Sequence, residues 1–226
     1  MYYDASFIIL IPALVISFFA QIKINSTFEK YSKIYSVNGY TGAQTARLLL
    51  DSNGLYEIPI EVTQGKLSDH YDPSRRIMRL SQDVYYGTSV ASIGVAAHET
   101  GHAIQHKINY MPLKLRNTLV PIVNFSSNAS WILFMLGIIL RWSGLISIGI
   151  ILFSAAVLFQ LVTLPVEFDA SKRALLVLRD KSILFEDEIK GAKSVLDAAA
   201  MTYVAAALMA VSQLLRLILI SNRNRD

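Results

Sequence analysis

The chain has 226 residues, 53% of them hydrophobic and 17% charged, with 21 Lys and Arg against 17 Asp and Glu. Soluble domains average about 45–50% apolar and about 25% charged residues, so this composition leans towards lipid and excludes a disordered or fibrous chain. The absence of cysteine excludes disulfides, iron–sulfur clusters and thiolate zinc sites. A net charge of +4 is too small and too scattered to mark a nucleic-acid binder.

In chain order, Ala5–Ile22 comes first: 18 residues without a charge, about 27 Å long as a helix and enough to cross a hydrocarbon core. The initial MYYD offers neither the basic region nor the small-residue site of a cleavable signal. Lys23, Lys30 and Lys33 follow the apolar run instead. Residues 1–22 are therefore expected to be an uncleaved anchor with its N-terminus outside.

Residues 23–118 carry a coarse α+β pattern. Thr41–Asn53 reads as a helix capped by Thr41 and stopped by Gly54. Ile58–Thr63 alternates around Pro59 as an edge strand or strand start. Asp72-Pro73-Ser74 marks a turn between His70-Tyr71 and a second strand, Ile77–Ser81. Ser89–His106 is predicted to be a helix, with small and β-branched residues early and no proline.

Leu119–Val166 is apolar over 48 residues, broken by Arg141-Trp142-Ser143-Gly144. One helix of that length would run about 70 Å, so two helices across a tight turn are expected, a hairpin over 119–166 with Trp131 and Trp142 as interfacial anchors. A cytoplasmic segment, 167–197, precedes the last region, 198–226. There Ala198–Ile220 forms a final span, with Arg216 placed to snorkel. The fold expected is a mainly α membrane protein with about four transmembrane helices and a small α+β, zincin-like catalytic region. Segments 23–117 and 167–197 hold 11 and 6 of the basic residues, which puts both on the cytoplasmic side. The tail Asn222-Arg223-Asn224-Arg225 argues the other way.

Inside the predicted helix lies His98-Glu99-Thr100-Gly101-His102, an H-E-x-x-H string. Histidines at i and i+4 share a helical face, so both imidazoles can reach one Zn²⁺ at about 2.0–2.1 Å. Glu99 then stands beside the metal without being needed as a ligand. It can take a proton from zinc-bound water and hand it to a leaving amine. With 4 His and 7 Glu in the chain, chance placement yields the pattern about twice in a thousand such chains. Gly101 thins the helix where a strand or substrate can approach.

A catalytic zinc takes a third protein ligand. The extended H-E-x-x-H-x-x-G-x-x-H pattern fails here, because Gln105 and Ile108 hold its last two positions. His106 lies about 12 Å along the helix from His98, too far to share an ion, while His70, in the strand–turn region, stays open as a third-ligand candidate. No histidine follows His106, so a downstream ligand is a carboxylate. Glu167 is the first candidate, since two membrane crossings return the chain to the side of the zinc helix. Asp169 is the alternative, as ligand or as acceptor for an imidazole N–H. Glu186, Asp187 and Glu188 read as a solvated charge run.

The strings NGYTGAQTARLLLDSNGL, LSDHYDPSRRIMRLS and VAAHETGHAIQH resemble the bacterial YugP-type membrane zinc metallopeptidases over nearly the whole chain. More distantly, the layout is similar to the HtpX and CaaX-prenyl protease families, whose E-x-x-x-D string follows a transmembrane hairpin. The resemblance implies a peptidase of the bacterial cell membrane with His98, His102 and Glu167 as zinc ligands and Glu99 as catalytic base. It implies no particular substrate. Ser171 departs from the HtpX-type string, which has Asp there, and Asp169 is the substitute for the orienting role.

The function expected is a membrane-anchored zinc endopeptidase acting on peptide or membrane-protein substrates at the cytoplasmic face of the bilayer. Arg173 and His70 are candidates to stabilise an oxyanion. Strand Ile77–Ser81 can offer an edge for backbone pairing with substrate, or Asp69 and Asp72 simply cap a turn. Two alternatives are an intramembrane zinc protease, which the short apolar run Val90–Ala97 disfavours, and a non-enzymatic zinc-binding scaffold, which would not need Glu99.

Overall fold

The computed structural model describes residues 5–223; the initial MYYD and the tail residues 224–226 lie outside the described residues. A 3-10 turn, Ala5–Ile9, leads into α1 (Leu10–Ser32), followed by α2 (Gly42–Ser52), β1 (Ile60–Thr63), β2 (His70–Asp72), β3 (Ile77–Ser81) and α3 (Gln82–Tyr85). Then come α4 (Val90–Lys107), α5 (Met111–Ile139), α6 (Ser143–Asp180) and α7 (Glu186–Arg223). Among the described residues, four helices are long and apolar enough to cross a membrane: Ser6–Ser32, Met111–Ile139, Ser143–Asp180 and Glu186–Asn222. The mainly α membrane fold with a small α+β region is therefore what the chain forms.

The chain divides into two compact units. One comprises Met1–Gln21, Met111–Pro165 and Met201–Asp226. Here α5 and the start of α6 form a tight hairpin, turned at Arg141 with a φ of 51°. A Cβ on Gly137 would stand 2.6 Å from the Ile146 side chain, and one on Gly149 2.9 Å from the Phe134 nitrogen. Small residues thus let the helix backbones close up, the usual device where lipid supplies no hydrophobic contrast. Phe134, Ile146 and Leu217 form the buried centre. The Arg216 guanidinium lies 3.7 Å over the Phe7 ring.

The second unit comprises Ile22–Tyr110 and Val166–Ala200. Thr41 caps α2 through a reciprocal box with Gln44, a device worth about 1 kcal/mol. Gly54 follows the helix at a φ of +67°. The three strands order β1-β3-β2, with β1 parallel and β2 antiparallel to β3. Two expectations change here. His70–Asp72 is a strand, not merely the approach to a turn. Ile77–Ser81 is the central strand, so its backbone groups are taken on both sides and it offers no edge. Asp72 does build the turn, its Oδ1 accepting from the Ser74 and Arg75 N–H groups. Asp69 instead crosses to β3, accepting from the Ser81 N–H at 2.7 Å.

Met78 and Leu80 of β3 share one buried cluster with Leu50 of α2, Ile58, Val84 of α3, and Ala96 and Ala103 of α4. Each of the larger side chains contributes about 1.5–3 kcal/mol. The other side of α4 meets a second cluster that includes Ile93, Ala97, Ala174, Leu178 and Ala192. That contact explains why the long helices outrun their apolar stretches. Val166, Ala170, Ala174 and Leu178, spaced by four, are all fully buried, so α6 continues through Pro165 as an amphipathic helix instead of ending near Val166. For the same reason α7 begins at Glu186 and not near Ala198, burying Ile189, Ala192, Val195 and Leu196. The acidic run is thus the first turn of a helix, where negative charge is favoured. Its Glu188 accepts from the Val37 and Phe185 N–H groups at 2.8 and 2.7 Å.

Gly101 has a use other than the one expected. A Cβ there would lie 2.6 Å from the Ala170 carbonyl oxygen. The body that approaches is helix α6, not a strand or a substrate. That closeness brings the turn 167–171 against the H-E-x-x-H face.

Candidate metal centre

His98 and His102 lie one turn apart on α4, their rings 4.7 Å between centroids. Glu167 on α6 sits opposite them and is 3% exposed. Its Oε2 is 3.3 Å from His98 Nε2 and 3.6 Å from His102 Nε2. One ligand atom from each of the three residues falls within 4.8 Å of the others. Ligands at about 2.0–2.1 Å around a tetrahedral zinc are about 3.3–3.4 Å apart. Two imidazole nitrogens and a carboxylate at this spacing fit that ion in both chemistry and size.

The far ring nitrogens are committed elsewhere, which fixes which atoms face the site. His102 Nδ1 meets Gln105 Oε1 at 3.1 Å. Gln105 is fully buried, and its Nε2 donates to the Val166 carbonyl and to Asp169 Oδ2, each at 2.8 Å. With both amide protons so placed, Oε1 can only accept, so His102 carries its proton on Nδ1 and turns the Nε2 lone pair to Glu167. Asp169 is held in turn by Arg173 at 2.6 Å. His98 Nδ1 meets Ser171 Oγ at 3.1 Å.

The orienting roles therefore differ from the sequence expectation. Among the described residues, Asp169 does not touch an imidazole; it acts through Gln105. Ser171, the position that departs from the HtpX-type string, itself holds His98. Gln105 escapes a reading of the sequence alone, although its place three residues after His102, on the same helical face, is a usable signal. We expect Gln105→Leu, which keeps the volume and removes the amide, to lower zinc affinity about 10–100-fold, read by competition with a chromophoric chelator.

Glu99 faces the sheet. It is 7% exposed, and its Oε2 accepts the Tyr71 N–H at 2.9 Å. Tyr71 is doubly anchored to α4, because its hydroxyl also meets His106 Nδ1 at 2.9 Å. Burial, with the Arg76 charge nearby, pushes the His106 pKa down. The neutral ring accepts from the phenol, whose own pKa burial pushes up. Burial also raises the pKa of Asp69 against the hydrogen bonds from Ser81, and the Glu99 charge adds to the rise. The strand that holds Glu99 is the edge strand β2, whose Tyr71 N–H that carboxylate occupies.

The remaining candidates lie outside the triad. His70 is exposed, with Nδ1 on the Ser68 carbonyl at 2.8 Å. Arg173 is engaged with Asp169 and lies 5.9 Å over the Tyr110 ring.

Comparison with known proteins agrees with this geometry. The chain is 53% identical over 216 residues to the "Putative membrane protease YugP" of Bacillus subtilis (strain 168), with 96% of each chain covered. No solved structure matches it. A family model described as "Putative neutral zinc metallopeptidase" matches residues 6–222, and the chain belongs to that family.

Proposed function

We propose that the protein is a membrane-anchored zinc endopeptidase. The observation that carries this reading is the convergence of His98 Nε2, His102 Nε2 and a Glu167 carboxylate oxygen beside Glu99, with both far imidazole nitrogens tied down. His98, His102 and Glu167 hold the metal. A bound zinc supplies Lewis acidity to the scissile carbonyl and acidifies a water. Glu99 is the general base. Its Oε2 is fixed by the Tyr71 N–H, so Oε1 is the oxygen that receives the proton of the attacking water and returns it to the leaving amine. The attack is direct, and no acyl-enzyme forms.

The distribution of Lys and Arg supports a cytoplasmic location for segments 23–117 and 167–197. Helix α4 is not one of the four apolar helices long enough to span a bilayer, which favours a surface peptidase over one whose zinc helix crosses the membrane.

The test uses the full chain in detergent with an unfolded protein and a membrane protein as substrates. Cleavage of either, abolished by phenanthroline and restored by one equivalent of zinc, supports the reading. Zinc bound stoichiometrically with no cleavage of any offered chain would return the protein to the non-enzymatic class.

A further inference from the structure

Helix α5 carries a polar stripe that nothing in its own unit accounts for. Asn117, Asn124 and Asn128 are spaced i, i+7 and i+11, which places them within about 40° on one side of the helix. The opposite side is the packed one, where Leu119, Ser126, Ser130 and Gly137 are buried. Asn124 and Asn128 are exposed and Asn117 is half-buried. Among the described residues none of the three amides has a hydrogen-bond partner.

Pro121 lies on the same stripe, inside the helix. It has no N–H to give, so the Asn117 carbonyl lacks its usual helical partner. The stripe continues through Met135 and Ile139, both exposed. Arg116 and Arg141 flank the uncharged part of this span, and Asn128 stands at its middle. An asparagine side chain is too short to reach a headgroup from there, and lipid tails offer no hydrogen bonds.

From this juxtaposition we propose that α5 is a transmembrane dimerisation face whose occupant is α5 of a second copy of this chain. A carboxamide is both donor and acceptor, so an Asn stripe is complementary to itself across a twofold axis, where each residue meets its own counterpart. Buried asparagines fix partner and register in coiled coils in the same way. The open Asn117 carbonyl adds an acceptor to that face. A second copy supplies donors and acceptors at matching depth, whereas an apolar helix would leave every amide unsatisfied.

The chain has no cysteine, so single-cysteine variants report the contact directly. Met135→Cys lies on the stripe with all three asparagines intact. Ile122→Cys is equally exposed to lipid in this copy but about 120° round the helix from Asn128. In native membranes under oxidant, Met135→Cys should form a self-linked dimer at least about tenfold faster than Ile122→Cys.

In phosphatidylethanolamine–phosphatidylglycerol vesicles, energy transfer between donor- and acceptor-labelled chains should show a dimer. The double variant Asn124→Leu/Asn128→Leu should weaken it about tenfold. Both substitutions fall on the exposed side, and zinc content reports that the variant is folded. Equal cross-linking at the two positions overturns the proposal. So does a dimer unchanged by the double substitution, a monomer in vesicles, or a Met135→Cys adduct formed only with a different membrane protein.

Discussion

Purified Glu99→Gln should bind zinc like the wild type and lose catalytic turnover by a factor of about 10²–10⁴, the range general acid–base groups contribute. The two halves of that result have separate physical causes. Glutamine is close to isosteric with glutamate, and its amide oxygen still accepts the Tyr71 N–H that glutamate Oε2 accepts at 2.9 Å. Strand β2 therefore stays where it is, and the three candidate ligands are untouched. What disappears is a site that can hold a proton between the attacking water and the leaving amine. The measurement pairs elemental zinc analysis with the turnover number on a cleaved protein substrate. Undiminished turnover in Glu99→Gln would remove the proposed mechanism while leaving the metal site standing.

The second large effect is expected at the ligands. Glu167→Ala and His98→Ala should each weaken zinc by at least about a thousandfold, roughly a third of the ~10–16 kcal/mol that structural zinc sites supply, and abolish cleavage with it. Glu167 is 3% exposed and meets both Nε2 atoms, so its loss removes the only carboxylate of the triad. Glu167→Gln separates charge from packing: the volume stays and the negative charge goes, so zinc should still fall steeply. Zinc content measured across these variants, with thermal unfolding as a check on folding, decides the ligand set. Full zinc in Glu167→Ala would move the third ligand elsewhere. Comparison with Gln105→Leu then grades the site, because Gln105 orients an imidazole and does not itself reach the ion.

Much of the metal centre and the fold is legible in the order of the amino acids. A histidine pair at i, i+4 with a glutamate between them is a local arrangement, set by 3.6 residues per turn. Apolar length alone marks helices able to span a bilayer, and Thr41 with Gln44 and Gly54 brackets α2 by cap chemistry that needs no distant partner. The misplaced helix ends share one cause. Apolarity predicts boundaries near Val166 and Ala198, yet α6 and α7 are bounded by their packing against α4. Their polar-flanked ends carry a buried stripe at every fourth residue, which composition averages away.

Helical periodicity and hydrophobic length act between near neighbours, so the amino-acid order is enough to establish membrane-spanning helices and one helix with two imidazoles on a common face. The features that depend on distant pairings come from packing. It makes β3 the central strand and β2 an edge, since strand order depends on contacts that spacing does not encode. Gly101 lets the Ala170 backbone come in close, and that approach sets Glu167 against residues 69 and 65 positions earlier in the chain. The same packing hands the imidazoles to Ser171 and Gln105, with Asp169 acting at one remove. A ligand's identity is written in local spacing, but the partner that completes it depends on how closely two helices can pack.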